Sequence, residues 1–158
     1  MALLMDGVIY VANVGDSRAV LSANGRAVPL SADHKPDRKD ERQRIENLGG
    51  RVVFWGTWRV EGVLAVTRAF GDRQLKPLVS SAPDIVRHTI SEYDQFLILA
   101  SDGLWDVLSN ERAVEIVSSI YPDTKTASFV LVQTAFEMGS SDNITALVVD
   151  LDYYNGVA

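Results

Sequence analysis

Asp102 and Asp106 flank Gly103 in the run QFLILASDGLWDVLS, residues 95–109, and Asp142 stands in Ser141-Asp142-Asn143 further along. Before the first pair comes an unbroken apolar run, residues 96–100, and after Asn143 comes a second, residues 144–149. Runs that short, bounded by turn residues, read as strands buried on both faces. A carboxylate where a buried strand ends is costly unless it is paired, hydrogen-bonded or metal-bound. Gly103 permits a sharp turn and a close approach to a ligand. If the two strands are neighbours, Asp102 and Asp142 converge, and converging carboxylates are how a protein holds Mg²⁺ or Mn²⁺. The other reading of the same residues is local. Aspartates in Asp-Gly and Asp-Asn turns commonly cap their own backbone. Asp16, in Gly15-Asp16-Ser17, carries the same two readings, turn residue or metal ligand.

The elements that would position these acids can be followed along the chain. Residues 2–5 and 8–14 flank Asp6-Gly7, a hairpin signal. Turns at Gly15-Asp16-Ser17 and Asn24-Gly25 continue this into an antiparallel meander through residue 30. His34 sits in a polar loop and reads as a surface residue. Asp37 can cap a surface helix through DRKDERQRIENL, with Ile45 and Leu48 as core anchors and Gly49-Gly50 as the stop. A short strand over 51–54 leads to a loop with two tryptophans, Trp55 and Trp58. These read as local packing or as a partner platform. Arg68 and Asp72 are spaced for a one-turn ion pair. Residues 84–90 form a strand with His88 outward. Ser109 caps a helix through Ile120 with Ala113, Val114, Val117 and Ile120 as its stripe. A second helix starts at Thr124, with Ala127, Val130, Leu131, Thr134, Ala135 and Met138 recurring at helical spacing and Gly139 as its end. Strands first, then a helical pair before a last strand, describe an α+β fold with two packed antiparallel sheets and helices outside. One domain is expected over residues 1–152, with 153–158 as a tail.

Composition narrows the chemistry. The 158 residues suffice for a domain with a real core, and 47% are hydrophobic. A net charge of −6 argues against non-specific nucleic-acid binding, which needs clustered positive charge. The absence of cysteine excludes disulfides, thiolate catalysis and cysteine zinc sites. The opening MALLMDGV has no basic region or long apolar stretch, so neither a signal peptide nor a membrane span is expected, and cytosol or nucleus is the default.

Four runs, VANVGDSRAVL, GVLAVTRAFGD, LILASDGLWDVLSN and SSDNITALVV, occur in this order. Together they resemble the type-2C metal-dependent protein serine/threonine phosphatases, the PPM family, in a plant-like form, over residues 8–150. The resemblance implies an α-β-β-α sandwich with two Mg²⁺ or Mn²⁺ ions between the sheet edges. It makes Asp102 and Asp142 metal ligands. It assigns Asp16, Asp102 and Asp106 to a third, weaker ion. Arg68, Gly71, Asp72 and Gly103 become supports of the flap or cleft. A phosphoprotein is the implied substrate, hydrolysed by metal-activated water. The family's N-terminal ligands, phosphate-binding arginine and histidine general acid have no counterpart here: Asp6-Gly7 is followed by Val8. The fold is thus expected to be N-terminally incomplete, with no catalytic side chain of its own and weak or no activity alone. The alternative is a non-catalytic or regulatory module that binds a partner protein through Trp55, Trp58 or an exposed sheet edge.

Overall fold

Left-handed backbone at two dipeptides sets the first turns. Asp6 (φ 51°) and Gly7 (φ 68°) join β1 (Ala2–Met5) to β2 (Val8–Asn13), and Asn24 (φ 51°) and Gly25 (φ 71°) join β3 (Arg18–Ala23) to β4 (Arg26–Pro29). Positive φ at both central residues is what a two-residue hairpin needs to match strand twist. The structure is a computed structural model and describes residues 1–152 and Tyr154. The chain folds as two compact units. One comprises Met1–Ala12, Ser17–Ser31 and the chain from Ile85 onward; the other comprises Asn13–Asp16 and Ala32–Asp84.

The first unit is a mixed α+β assembly. It adds β7 (Asp84–Thr89), β8 (Asp94–Ala100) and β9 (Ala146–Asp150) and forms two sheets, of strand order β1-β2-β7 and β4-β3-β8-β9. The expected continuous meander is corrected here. β2 and β3 lie in different sheets, so Gly15-Asp16-Ser17 is a crossing and not a hairpin. Ile9 and Val11 of β2 meet Ala19 and Leu21 of β3 in one apolar cluster with Leu30, Leu97 and Leu151. Burying both strands' apolar faces against one another outweighs pairing them edge to edge.

β8 is buried on both faces. Leu97 belongs to the cluster shared by both sheets, whereas Phe96, Ile98 and Ala100 face a second cluster built with helices. Those helices are α2 (Asp102–Trp105), α3 (Asn110–Ser118) and α4 (Thr124–Glu137). Ser109 Oγ caps α3 by accepting the Arg112 N–H at 3.1 Å, and Asp123 caps α4 by accepting the Thr126 N–H at 3.1 Å. Ala113, Val114, Val117, Ala127, Leu131 and Ala135 enter the core. Met138 does not: it sits past the last residue of α4 and is 54% exposed. His88 is half-buried, its Nε2 2.9 Å from the buried Asp94 carboxylate. Of the expected tail, Tyr154 packs against the inter-sheet cluster, and the remaining residues lie outside those described.

The second unit carries α1 (Lys39–Asn47) and the hairpin β5 (Val52–Trp55)–β6 (Thr57–Val60) around a core of Ile45, Val52, Val60 and Val79. Four expectations change here. Trp55 and Trp58 lie on the paired strands of the hairpin and not in a loop. Arg38, not Asp37, is the residue before α1, and no side chain caps it. Leu48 is exposed, and the second buried position of α1 is Glu41. His34 is fully buried, because polar partners meet both ring nitrogens.

Candidate metal centre

The pairing of β8 with β9 decides where the two acidic turns go. Ala100 is the register partner of Ala146, so Ser101 follows one strand at the end where Thr145 precedes the other. Ser101 N–H donates to the Thr145 carbonyl (3.0 Å), and Thr145 N–H donates back to Ser101 Oγ (3.0 Å). Ser101 Oγ also donates to the Asn143 carbonyl (3.0 Å), while Ser140 Oγ donates to the Gly103 carbonyl (2.6 Å). The Asp102-Gly103 backbone therefore lies directly on the Asp142-Asn143 backbone. A Cβ on Gly103 would stand 2.5 Å from the Asn143 oxygen. Gly103 serves this closeness of backbone to backbone.

Each aspartate also caps its own turn. Asp102 Oδ1 accepts the Gly103 N–H at 3.0 Å, and Asp142 Oδ1 accepts the Asn143 N–H at 2.6 Å. Asp102 is half-buried; Asp142 and Asp106 are exposed. Asp106 follows Asp102 by one helical turn, its N–H donating to the Asp102 carbonyl at 2.8 Å. Leu104 and Trp105 anchor the short α2 between them in the helical core. Trp105 Nε1 donates to the Ala100 carbonyl at 3.0 Å, and the Arg18 guanidinium lies 5.2 Å above its ring. The same guanidinium donates to Asn110 Oδ1 at 2.7 Å. Arg18 and Trp105, not singled out in the sequence, join Leu104 in holding α2 in place.

The donor set at these turns is carboxylate and carbonyl oxygen, the chemistry of a hard divalent cation. Mg²⁺ is commonly held by one or two carboxylates completed by water. Among the described residues, no three acids or histidines converge closely enough to hold a metal ion by themselves.

Asp16 lies in the second unit, on a turn held from several sides. Gly15 has φ +107°, a left-handed conformation that favours glycine. Its carbonyl accepts from the His34 backbone N–H (3.0 Å) and from Asn13 Nδ2 (3.1 Å). His34 Nδ1 lies 3.2 Å from the Gly15 nitrogen and 3.0 Å from its oxygen, and His34 Nε2 lies 3.1 Å from Asp84 Oδ2. Lys35 Nζ donates to Asp16 Oδ2 at 2.5 Å.

Arg68 does not pair with Asp72. It donates to Glu41 Oε1 through Nη2 (2.6 Å) and Nε (3.1 Å), and to Asp84 Oδ1 through Nη1 (2.8 Å). A buried carboxylate is a stronger magnet for a guanidinium fork than an exposed one. Asp72 (φ 46°) and Gly71 (φ 85°) instead turn the chain in left-handed backbone into a 3₁₀ turn at Arg73–Leu75. Burial of Glu41 opposes its ionisation. Hydrogen bonds from Arg68, Arg44 and Thr67 outweigh that and hold its carboxyl well below the usual range. In the β5–β6 hairpin, Trp58 meets Phe54 edge-to-face at 5.2 Å under the Arg42 guanidinium, whereas Trp55 is 76% exposed.

A family profile described as "Protein phosphatase 2C" matches residues 1–144. Over 148 residues the chain is 59% identical to "Probable protein phosphatase 2C 11" of Arabidopsis thaliana, covering 94% of this chain and 39% of that protein. It is 55% identical over 152 residues to "Probable protein phosphatase 2C 52" of rice, covering 96% and 31%. Among solved structures, a serine-threonine phosphatase 2C from Toxoplasma gondii superposes with TM-score 0.82 at 32% identity, covering 94% of this chain and 56% of that one. A C. elegans sex-determining protein superposes with TM-score 0.86, also at 32% identity, covering 92% and 37%. The chain thus spans about two fifths of the Arabidopsis relative's length.

Proposed function

We propose that this chain, which belongs to the protein phosphatase 2C family, is the carboxylate-presenting portion of a metal-dependent phosphoserine/phosphothreonine hydrolase. The observation that carries this is the seating of the Asp102 turn on the Asp142 turn through a glycine whose Cβ would collide. Asp102 and Asp142 are the proposed ligands of Mg²⁺ or Mn²⁺, two ions in the complete site. Asp106 and Asp16 are proposed as ligands of weaker binding. Bound there, a divalent cation would neutralise charge on a phosphate ester and lower the pKa of a bound water toward about 7. The chain's own part is to fix the carboxylates. Leu104 and Trp105 pin α2, and the serine bonds at 101 and 140 lock the two turns. The proton donor and phosphate-binding arginine of the family pattern have no counterpart among these residues, and turnover by this chain alone is proposed to be weak or nil.

Calorimetry with Mn²⁺ tests this reading. The wild-type chain binds Mn²⁺, and Asp102→Asn or Asp142→Asn weakens binding about tenfold or more. Affinity unchanged in both variants removes these residues from the site. A parallel assay with a phosphoserine peptide expects any turnover to vanish in Asp102→Asn.

A second reading rests on the β5–β6 hairpin, where Phe54 and Trp55 are 60% and 76% exposed. A non-catalytic partner-binding module predicts association that survives chelator and Asp142→Asn but is lost on Trp55→Ala.

A further inference from the structure

Lys35 is placed on Asp16 by main-chain bonds to both sides of its neighbour. The His34 carbonyl accepts from Thr67 N–H at 2.8 Å and Thr67 Oγ1 at 3.1 Å, while the His34 N–H donates to the Gly15 carbonyl at 3.0 Å. The lysine therefore leaves a fixed point of the backbone opposite a fixed turn. Its ammonium reaches Asp16 Oδ2 at 2.5 Å, with the Asp16 side chain only 18% exposed and that of Lys35 32%. At that separation and burial the pair is less screened than a surface ion pair. A divalent cation that uses the Asp16 carboxylate must share it with this ammonium or displace it, and like charges crowded on one carboxylate repel.

We infer that Lys35 is a tethered counter-cation that competes with the divalent ion for Asp16 and keeps that site weak. This rests on the reading of Asp16 as a metal ligand. Lys35 neutralises Asp16 when the metal is absent and is released from it when the metal binds. The lysine is a positioning residue that sets metal affinity; it takes no part in bond making.

Mn²⁺ binding to this chain, followed by calorimetry at constant pH and ionic strength, decides the matter. Lys35→Met is expected to tighten the Asp16-dependent component about tenfold, a change of about 1.4 kcal/mol. Lys35→Arg, which keeps the charge, is expected to stay close to wild type. In the Asp16→Asn background, Lys35→Met is expected to gain nothing. Equal or weaker Mn²⁺ binding in Lys35→Met overturns the inference, as does a gain that persists in Asp16→Asn. If Asp16→Asn by itself leaves the isotherm unchanged, the ligand reading of Asp16 fails and the inference falls with it. If Asp16→Asn weakens binding while Lys35→Met does not tighten it, the ligand reading stands and the role of Lys35 is refuted.

Discussion

At the scale of single residues, Gly103 has no room for a side chain. Its hydrogen points where a methyl would sit 2.5 Å from the Asn143 oxygen, and that oxygen already accepts from Ser101 Oγ. Backbone on both sides leaves no flexible atom to yield. Gly103→Ala is expected to cost about 2 kcal/mol, within the usual range for overpacking, measured as a lowered urea midpoint. It is also expected to weaken Mn²⁺ binding, because the collision pries the Asp102 and Asp142 turns apart. A stability loss with Mn²⁺ affinity intact would separate the close approach from the metal site.

At the scale of elements, α1 is unusual in burying a charge where its apolar stripe should be. Glu41 is 2% exposed and accepts from Arg44 (2.8 Å), Arg68 (2.6 Å) and Thr67 (2.6 Å). The helix is thereby tied by its carboxylate to the segment at Thr67-Arg68 as well as by Ile45 to the apolar core. The depressed pKa of Glu41 has a stated sign. The stability it contributes is fully present above the unfolded carboxyl value of 4.5 and is lost as pH falls below it toward the folded value. Wild-type stability should therefore decline from about pH 4.5 downward, with part of that decline absent in Glu41→Gln. At pH 7, Glu41→Gln is expected to lose about 3 kcal/mol, because the half-buried Arg44 and Arg68 guanidinium groups lose the buried carboxylate they share. Urea midpoints collected against pH for both proteins check both statements. Parallel pH curves would show that Glu41 is not the group responsible.

At the scale of the whole molecule, binding and folding are linked. A cation that binds only the folded chain stabilises it by about 2.7 kcal/mol at one hundred times its dissociation constant. Mn²⁺ at that ratio is expected to raise the thermal midpoint, and chelator to reverse the rise. At the same Mn²⁺ concentration Asp142→Asn, binding about tenfold or more weaker, is expected to show at most about half of each shift. A midpoint indifferent to Mn²⁺ in the wild type would mean that this portion of the domain does not hold the ion alone. The relatives matched are longer, this chain covering 39% of one and 31% of another, so the full activity is a property proposed for a larger assembly of residues.

Turns and amphipathic periods were legible in the sequence because their causes are local. Asp6-Gly7 and Asn24-Gly25 specify left-handed backbone by residue type, Ser109 specifies a helix start, and the run at 96–100 announces a strand with no polar face. The four motifs also carried the family. Hidden from the sequence were features that depend on partners distant in the chain. Nothing near His34 or Glu41 signals burial; they are interior because Gly15, Thr67, Arg68 and Asp84 fold around them and satisfy the polar atoms that would otherwise oppose it. Likewise Arg68 looked closest to Asp72, yet a desolvated carboxylate elsewhere offers its guanidinium a stronger bond. The sequence by itself determined the local bends, the buried strands and the kind of oxygen ligand available. Tertiary structure alone decided which turns touch, because strand register and the burial of charge are set by pairings between segments that only the folded chain brings together.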